Sequence, residues 1–252
     1  MKMENLILAV LECSANVRQS QKNIGKLAML WQKNIYPLKM ILQYQHRKKT
    51  KHMEVWWALS EEAIKGLKVS PEEINEVCIQ LGPSLRDGSK ELFDELCAAK
   101  VPVLVFSAGL GDTVMSVLKH CDVLLPNVEV VSNFLKYDSD GCIMGFKDRL
   151  IHVYNKNEYA IKGTDFYNQI VDRDNVILLG DSIGDASMVE GMDHLKVVLK
   201  IGFLYARSEE SLPNYMNTFD IVLQDDQTME VPRAILNYIK NSASHQSELS
   251  SN

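Results

Sequence analysis

The sequence predicts an α/β fold built on a doubly wound parallel sheet with a helical cap, and three observations predict it. From residue 89 onward, short apolar runs alternate with amphipathic stretches, the pattern of strands separated by covering helices. The runs Val101-Pro102-Val103-Leu104-Val105-Phe106 and Val176-Ile177-Leu178-Leu179 are apolar throughout, as strands buried on both faces must be. The second run passes straight into Gly180-Asp181-Ser182-Ile183-Gly184-Asp185. A buried strand that stops at Gly-Asp leaves its carboxylate at the carboxyl edge of the sheet, where open α/β folds take ligands.

Taken in order, residues 1–34 form an atypical opening segment. Leu6–Leu11 reads as a strand or the start of a helix, and Ile24, Leu27, Ala28, Leu30 and Trp31 have helical spacing. Residues 35–86 read as a helical cap portion. Met53–Ile64 is an aromatic-rich helix, and Ser70-Pro71-Glu72-Glu73 opens another with an N-cap serine and a first-turn proline.

Residues 87–241 carry the core. Its reading is a helix at 89–99, the strand 101–107, a glycine turn, a helix at 113–120 and a strand at 128–131. A hairpin follows over 137–146 with turn chemistry at Asp138-Ser139-Asp140-Gly141. Then come a helix over 159–171, the strand 176–179, a short helix, a strand at 197–201, a helix near 209–217, a strand at 221–223 and a closing helix. The polar stretch 242–252 reads as a disordered tail.

With 252 residues, 46% of them hydrophobic and 24% charged, the chain has the material for one large α/β core. Its net charge of −6 hides an asymmetry. Residues 1–52 hold ten Lys/Arg against two Glu, a net of +8, which leaves −14 for the rest. The basic cluster His46-Arg47-Lys48-Lys49 is short, a solvated face or loop and not a nucleic-acid surface. Five cysteines include no CxxC pair, which points to free thiols in a reducing compartment and away from a zinc site. The early apolar run between Glu4 and Glu12 is too short for a signal core or a membrane span. A cytoplasmic protein, off the membrane and monomeric, is expected.

Three loops offer groups suited to phosphate. Ser107-Ala108-Gly109 follows a strand and precedes a helix, so a hydroxyl and backbone N–H groups converge there. Lys156 lies in His152-Val153-Tyr154-Asn155-Lys156 and supplies a positive charge. Asp181 and Asp185, four residues apart on a glycine-bracketed loop, suit a hard cation such as Mg²⁺.

Serine after a strand, then lysine, then Gly-Asp-x-x-Gly-Asp after another strand resembles the haloacid dehalogenase-like phosphatases, whose core is a Rossmann-like sheet. Within them, several segments resemble the cytosolic 5′-nucleotidase type III family, the pyrimidine and 7-methylguanosine-phosphate 5′-nucleotidases. They include Phe106–Asp112, Val130–Phe134, Gly145–Lys147, Leu150–Lys156, Ile177–Ser182, Leu199–Leu204 and Asp220–Leu223, and the likeness spans about Tyr36 to Ile239. The resemblance implies Mg²⁺-dependent hydrolysis of nucleoside 5′-monophosphates through an aspartyl-phosphate. It casts Asp181 as metal ligand and Asp185 as a nearby catalytic acid. It implies that Ser107 and Ala108 hold the phosphate, that Lys156 offsets its charge and orients the nucleophile, and that Ser60 matches a cap serine that contacts substrate in some members.

The chain departs from that family in two places. The family's nucleophile motif, Asp-x-Asp-x-Thr, belongs before Tyr36, yet no aspartate precedes Asp87. The core strand that carries it is therefore missing or replaced. Residues 5–11 have the apolarity to fill the slot, which would leave Glu12 near the place where a carboxylate is wanted. In the cap, Lys39 stands where the family has a base-recognising glutamate, which leaves the preferred base open. Trp56 and Trp57 match the family's aromatic pair and read as cap core. A product lacking the nucleophile, which only binds nucleotide or a partner, is the alternative function.

Overall fold

The computed structural model describes residues 6–10, 46–82, 85–205 and 211–249, with side chains from 50 to 242 within those ranges. Lys39, Glu12 and the helical pattern at 24–31 lie outside the described residues.

Six parallel strands make the central sheet, in the order β3-β2-β1-β6-β7-β8. They are β1 (Leu6–Val10), β2 (Val103–Leu110), β3 (Val128–Asn133), β6 (Asn175–Gly180), β7 (Val197–Leu204) and β8 (Ile221–Gln224). The first strand settles the question that the missing motif raised: the slot is filled. Leu8 pairs with Val103 on one side and Ile177 on the other. From β1 the chain winds outward to β2 and β3, then returns to β6 and winds the other way. The reversal of direction falls at β1, so the crevice of the sheet opens between the carboxyl ends of β1 and its neighbours.

Side chains alternate strictly across the sheet. Val103, Val105, Ile177, Leu179, Ile201 and Phe203 face a core shared with α3 (Ser89–Ala98), α4 (Gly111–His120) and α7 (Glu230–Leu249). Leu104, Phe106, Val176, Leu178 and Leu204 face the other core, with Phe166 and Ile170 of α5 (Asp165–Ile170) and Tyr215 of α6 (Leu212–Met216). Each fully buried Leu, Ile or Phe contributes roughly 1.5–3 kcal/mol relative to an exposed one. This two-sided burial is why the strands are apolar throughout.

The cap has a small apolar core of its own. α1 (His46–Ile64) and α2 (Pro71–Gln80) precede the core, and α2 opens with the expected capping box, Ser70 and Glu73 each bonding the other's backbone N–H. The hairpin of β4 (Leu135–Tyr137) and β5 (Ile143–Phe146) joins them, since Ile64, Leu135 and Ile143 share a core of their own. Trp57 is buried edge-on against Phe146, so its packing is that of a cap core residue. The hairpin turn is closed by Asp138, whose Oδ1 accepts the N–H groups of Asp140 and Cys142.

Two elements differ from expectation. The helix read over 159–171 is broken into a single 3₁₀ turn at Glu158–Ala160 and α5. Gly163 takes a φ of +86° between them, and Thr164 then caps α5 by accepting the Tyr167 N–H. A glycine and a capping threonine side by side outweigh the apolar periodicity. The closing helix runs to Leu249, past Ser242, where the sequence predicts the start of a disordered tail. Helical hydrogen bonding needs no apolar face, so a polar stretch that continues a helix is not visible to hydrophobic periodicity.

Candidate functional site

The three phosphate-suited loops all lie at the carboxyl ends of strands or beside them. At the end of β2, Ser107 is buried and its Oγ accepts the Gly109 N–H at 3.0 Å. Where the sequence reads a glycine turn, Ser107–Gly109 is an irregular stretch of β2 between the pairings of Phe106 and Leu110, and it leads directly into α4. Two side chains from the end of β3 support the same loop: Ser132 Oγ donates to the Gly109 carbonyl, and Asn133 Nδ2 to the Ala108 carbonyl at 3.2 Å.

At the end of β6, the Gly-Asp-x-x-Gly-Asp loop separates its two acids by role. Asp185 is 1% exposed, and its Oδ2 accepts the Ser182 N–H at 2.8 Å. Its Oδ1 lies 3.3 Å from Lys156 Nζ, which is 2% exposed. Asp181 is partly exposed at the sheet edge, and its backbone carbonyl accepts the Tyr215 hydroxyl at 2.6 Å. Burial raises the Tyr215 pKa, and the charges of Asp181 and Asp185 raise it further, so this hydroxyl stays a donor.

The lysine segment is a bonded block. Asn155 Oδ1 accepts the His152 N–H at 2.7 Å and Asn155 Nδ2 donates to the Leu150 carbonyl at 2.8 Å. The Tyr154 N–H is donated to His152 Nδ1 at 3.2 Å, which requires that nitrogen unprotonated. The block meets the β6 loop without any gap: a Cβ on Gly184 would stand 2.7 Å from the Val153 carbonyl oxygen. The second glycine of the motif is thus required by close approach of two backbones.

Lys156 and Asp185 are therefore in direct contact, and Ser107 and Ala108 reach the lysine segment through Asn133. The Ser60 hydroxyl is donated to the Trp56 carbonyl within α1. Sequence reasoning missed two residues. Asn133 lies within Val130–Phe134 but carries no chemical signal of its own in the sequence. Arg86, just before α3, lies over the Phe203 ring at 4.1 Å and donates to the Asp226 carbonyl. Burial lowers the Arg86 pKa, and the charges of Asp181 and Asp226 oppose that shift. Its only sequence signal was a cation among the polar residues preceding a helix.

Among the described residues, no three His, Cys, Asp or Glu side chains converge on one point. Asp185 is committed to Lys156 and to the Ser182 N–H, and β1 reads Leu-Ile-Leu-Ala-Val with no carboxylate. The described residues thus offer Asp181 as a single carboxylate and do not by themselves make a Mg²⁺ site.

Phosphoserine phosphatases share this fold. An apo phosphoserine phosphatase structure superposes with a TM-score of 0.57 at 19% identity, covering 95% of this chain and all (100%) of that one. What the two share is the fold, a doubly wound Rossmann-like parallel sheet. The family is narrower than the fold. Residues 8–240 match the model of the pyrimidine 5′-nucleotidase (UMPH-1) family, and the chain belongs to it. The structure of cytosolic 5′-nucleotidase IIIB bound to cytidine superposes with a TM-score of 0.84 at 35% identity, covering 98% of this chain and 88% of that one.

A 7-methylguanosine phosphate-specific 5′-nucleotidase of Drosophila melanogaster is 45% identical over 193 residues, 76% of this chain and 60% of the fly protein. The Homo sapiens protein of the same name is 37% identical over 204 residues, 81% of this chain and 68% of its own length.

Two predictions follow from the site. Lys156→Met leaves the Asp185 charge buried without its cationic partner and is expected to cost about 3–5 kcal/mol in urea denaturation. Adding Asp185→Asn, which can still accept the Ser182 N–H, is expected to restore most of that loss. The second concerns His152, which is 3% exposed. Burial holds its imidazole below the usual 6.5, with Glu54 opposing the shift and Arg149 adding to it. The unfolded chain then binds the extra proton first, so stability is full above about pH 6.5 and falls as pH drops toward the folded value. Urea midpoints measured from pH 7.5 to 5.5 are expected to fall, and His152→Asn is expected to flatten the slope.

Proposed function

We propose that this chain carries a 5′-nucleotidase site for nucleoside 5′-monophosphates, of the 7-methylguanosine or pyrimidine type that its relatives' names indicate. The observation that carries the reading is the buried Lys156–Asp185 pair at the carboxyl edge of the sheet, in a chain of this family. An ammonium group excluded from water and oriented by one carboxylate carries further N–H donors that can meet a phosphate oxygen. The Ser107 hydroxyl and the Ala108 backbone N–H would provide neutral donors for the same phosphate. In this reading Asp185 acts on Lys156, and Asp181 is the described residue that would ligate the family's Mg²⁺. The reaction is hydrolysis of the 5′-phosphate to nucleoside and inorganic phosphate. The setting is the cytoplasm, named for the relatives as cytosolic, and no described helix is long and apolar enough to cross a membrane.

A second reading is favoured by one observation. The central strand is apolar from Leu6 to Val10 and no aspartate precedes Asp87, so the family's aspartate nucleophile is not among these residues. The chain would then bind nucleoside monophosphates without turning them over, because loss of one member of a catalytic unit costs orders of magnitude in rate. Hydrolysis instead requires another carboxylate beyond β1, and Glu12 is the first in the sequence.

Phosphate release from CMP, UMP and 7-methylguanosine monophosphate, with and without Mg²⁺, separates the two readings when calorimetric binding is measured on the same samples. The nucleotidase reading expects Mg²⁺-dependent release that Asp181→Asn abolishes. Binding with no release above that of Asp181→Asn establishes the second reading. Neither binding nor release would overturn both.

A further inference from the structure

We propose that Asn133 is a positioning residue that fixes where Lys156 stands relative to the Ser107–Ala108 loop. The inference rests on the reading of that loop and Lys156 as two sides of one phosphate site.

The geometry of the Asn133 side chain is the starting point. It is 3% exposed, and its amide is satisfied on every side. Oδ1 accepts the Ile151 N–H at 2.7 Å, and Nδ2 donates to the Ile151 carbonyl at 2.9 Å and the Ala108 carbonyl at 3.2 Å. One planar group thus joins the Ala108 carbonyl to Ile151, within the bonded block that ends at Lys156. Turning the amide over would set its NH₂ against the Ile151 N–H, so the orientation is fixed by the partners.

No other side chain of this size can do the same. Aspartate has the acceptor but no donor for the two carbonyls, and serine has a single donor. Glutamine adds a methylene that a buried site of this kind has no room for. Buried polar groups left without partners are costly, so the three bonds form or fail together.

Movement at Ile151 is passed to Lys156 because the block between them is internally bonded. Asn155 bridges Leu150 and His152, and His152 accepts from Tyr154. At its far side the block abuts Gly184 through the Val153 carbonyl, and Lys156 reaches Asp185. The lysine segment is therefore clamped between two sheet-edge loops. Gly184 sets its contact with one, and Asn133 sets its distance from the other. An ammonium displaced by even 1 Å from a phosphate oxygen loses much of a charge-assisted hydrogen bond.

The test compares CMP with cytidine, which differ only in the phosphate, by calorimetry on the full chain and its Asn133→Ser and Asn133→Asp variants. The wild-type chain is expected to prefer CMP. Asn133→Ser is expected to lower that preference about tenfold while cytidine affinity stays unchanged, and Asn133→Asp to lower it further through its added negative charge.

A general structural role would weaken both ligands equally, and that result, or an unchanged preference in the variants, would overturn the assignment. A wild-type chain with no preference for CMP would instead bring down the phosphate-site reading and this inference with it. Should neither variant fold, the wild-type chain still decides the matter. Exchange of the Ile151 amide is expected to be slower with CMP bound than with cytidine, and equal rates would contradict the proposal.

Discussion

The parallel pairing of Leu6–Val10 between β2 and β6 is the constraint on which the remaining structure depends. Without it, the two strands that carry the site loops would each present an open row of backbone donors and acceptors in the middle of the sheet. With it, the carboxyl end of β2, bearing Ser107, and that of β6, bearing Asp181, are held one strand apart. The crevice at this reversal of strand order is where an open parallel sheet receives ligands, so the position of the site follows from the pairing. A strand in that slot must suit a buried environment on both sides, and five apolar residues satisfy that demand.

The site is an arrangement of charges and amides withdrawn from water. Burying Lys156 and Asp185 together carries a desolvation cost that their attraction offsets only because Asp185 also accepts the Ser182 N–H. A pair of this kind fixes position more than it adds stability. The surrounding bonds serve the same end: Asn155 and His152 close the lysine segment on itself, Asn133 anchors it, and Gly184 lets the neighbouring backbone come close. Arg86 and Tyr215 complete the surroundings of Asp181, one through its charge and the other through its hydroxyl.

Much of this was legible in the sequence, and the physical reason is uniform. The strands were legible because burial on both faces forces apolar runs, and the Asp181–Asp185 loop because a strand ending in Gly-Asp has few other uses. The capping box at Ser70 and the turn at Asp138 were legible because each bonds within a few residues. What the sequence hid depends on distant partners. Lys156 and Asp185 are 29 positions apart and Asn133 and Ile151 are 18 apart, and neither pairing has a local signature. The break at Gly163 and the extension of α7 to Leu249 show the complementary limit, where local backbone preference overrides the hydrophobic period. Leu6–Val10 lay between these cases: the apolar run was visible, but its choice of strand over helix came from the vacancy between β2 and β6.

The central claim is that Leu6–Val10 is an interior strand of the sheet, and amide hydrogen exchange of those residues tests it most directly. The account predicts protection equal to that of Val176–Leu179 in β6, because both sets of amides open only with the core. Exchange at the rate of an unprotected chain would contradict it, since the two halves of the site would then lack the strand that holds them together.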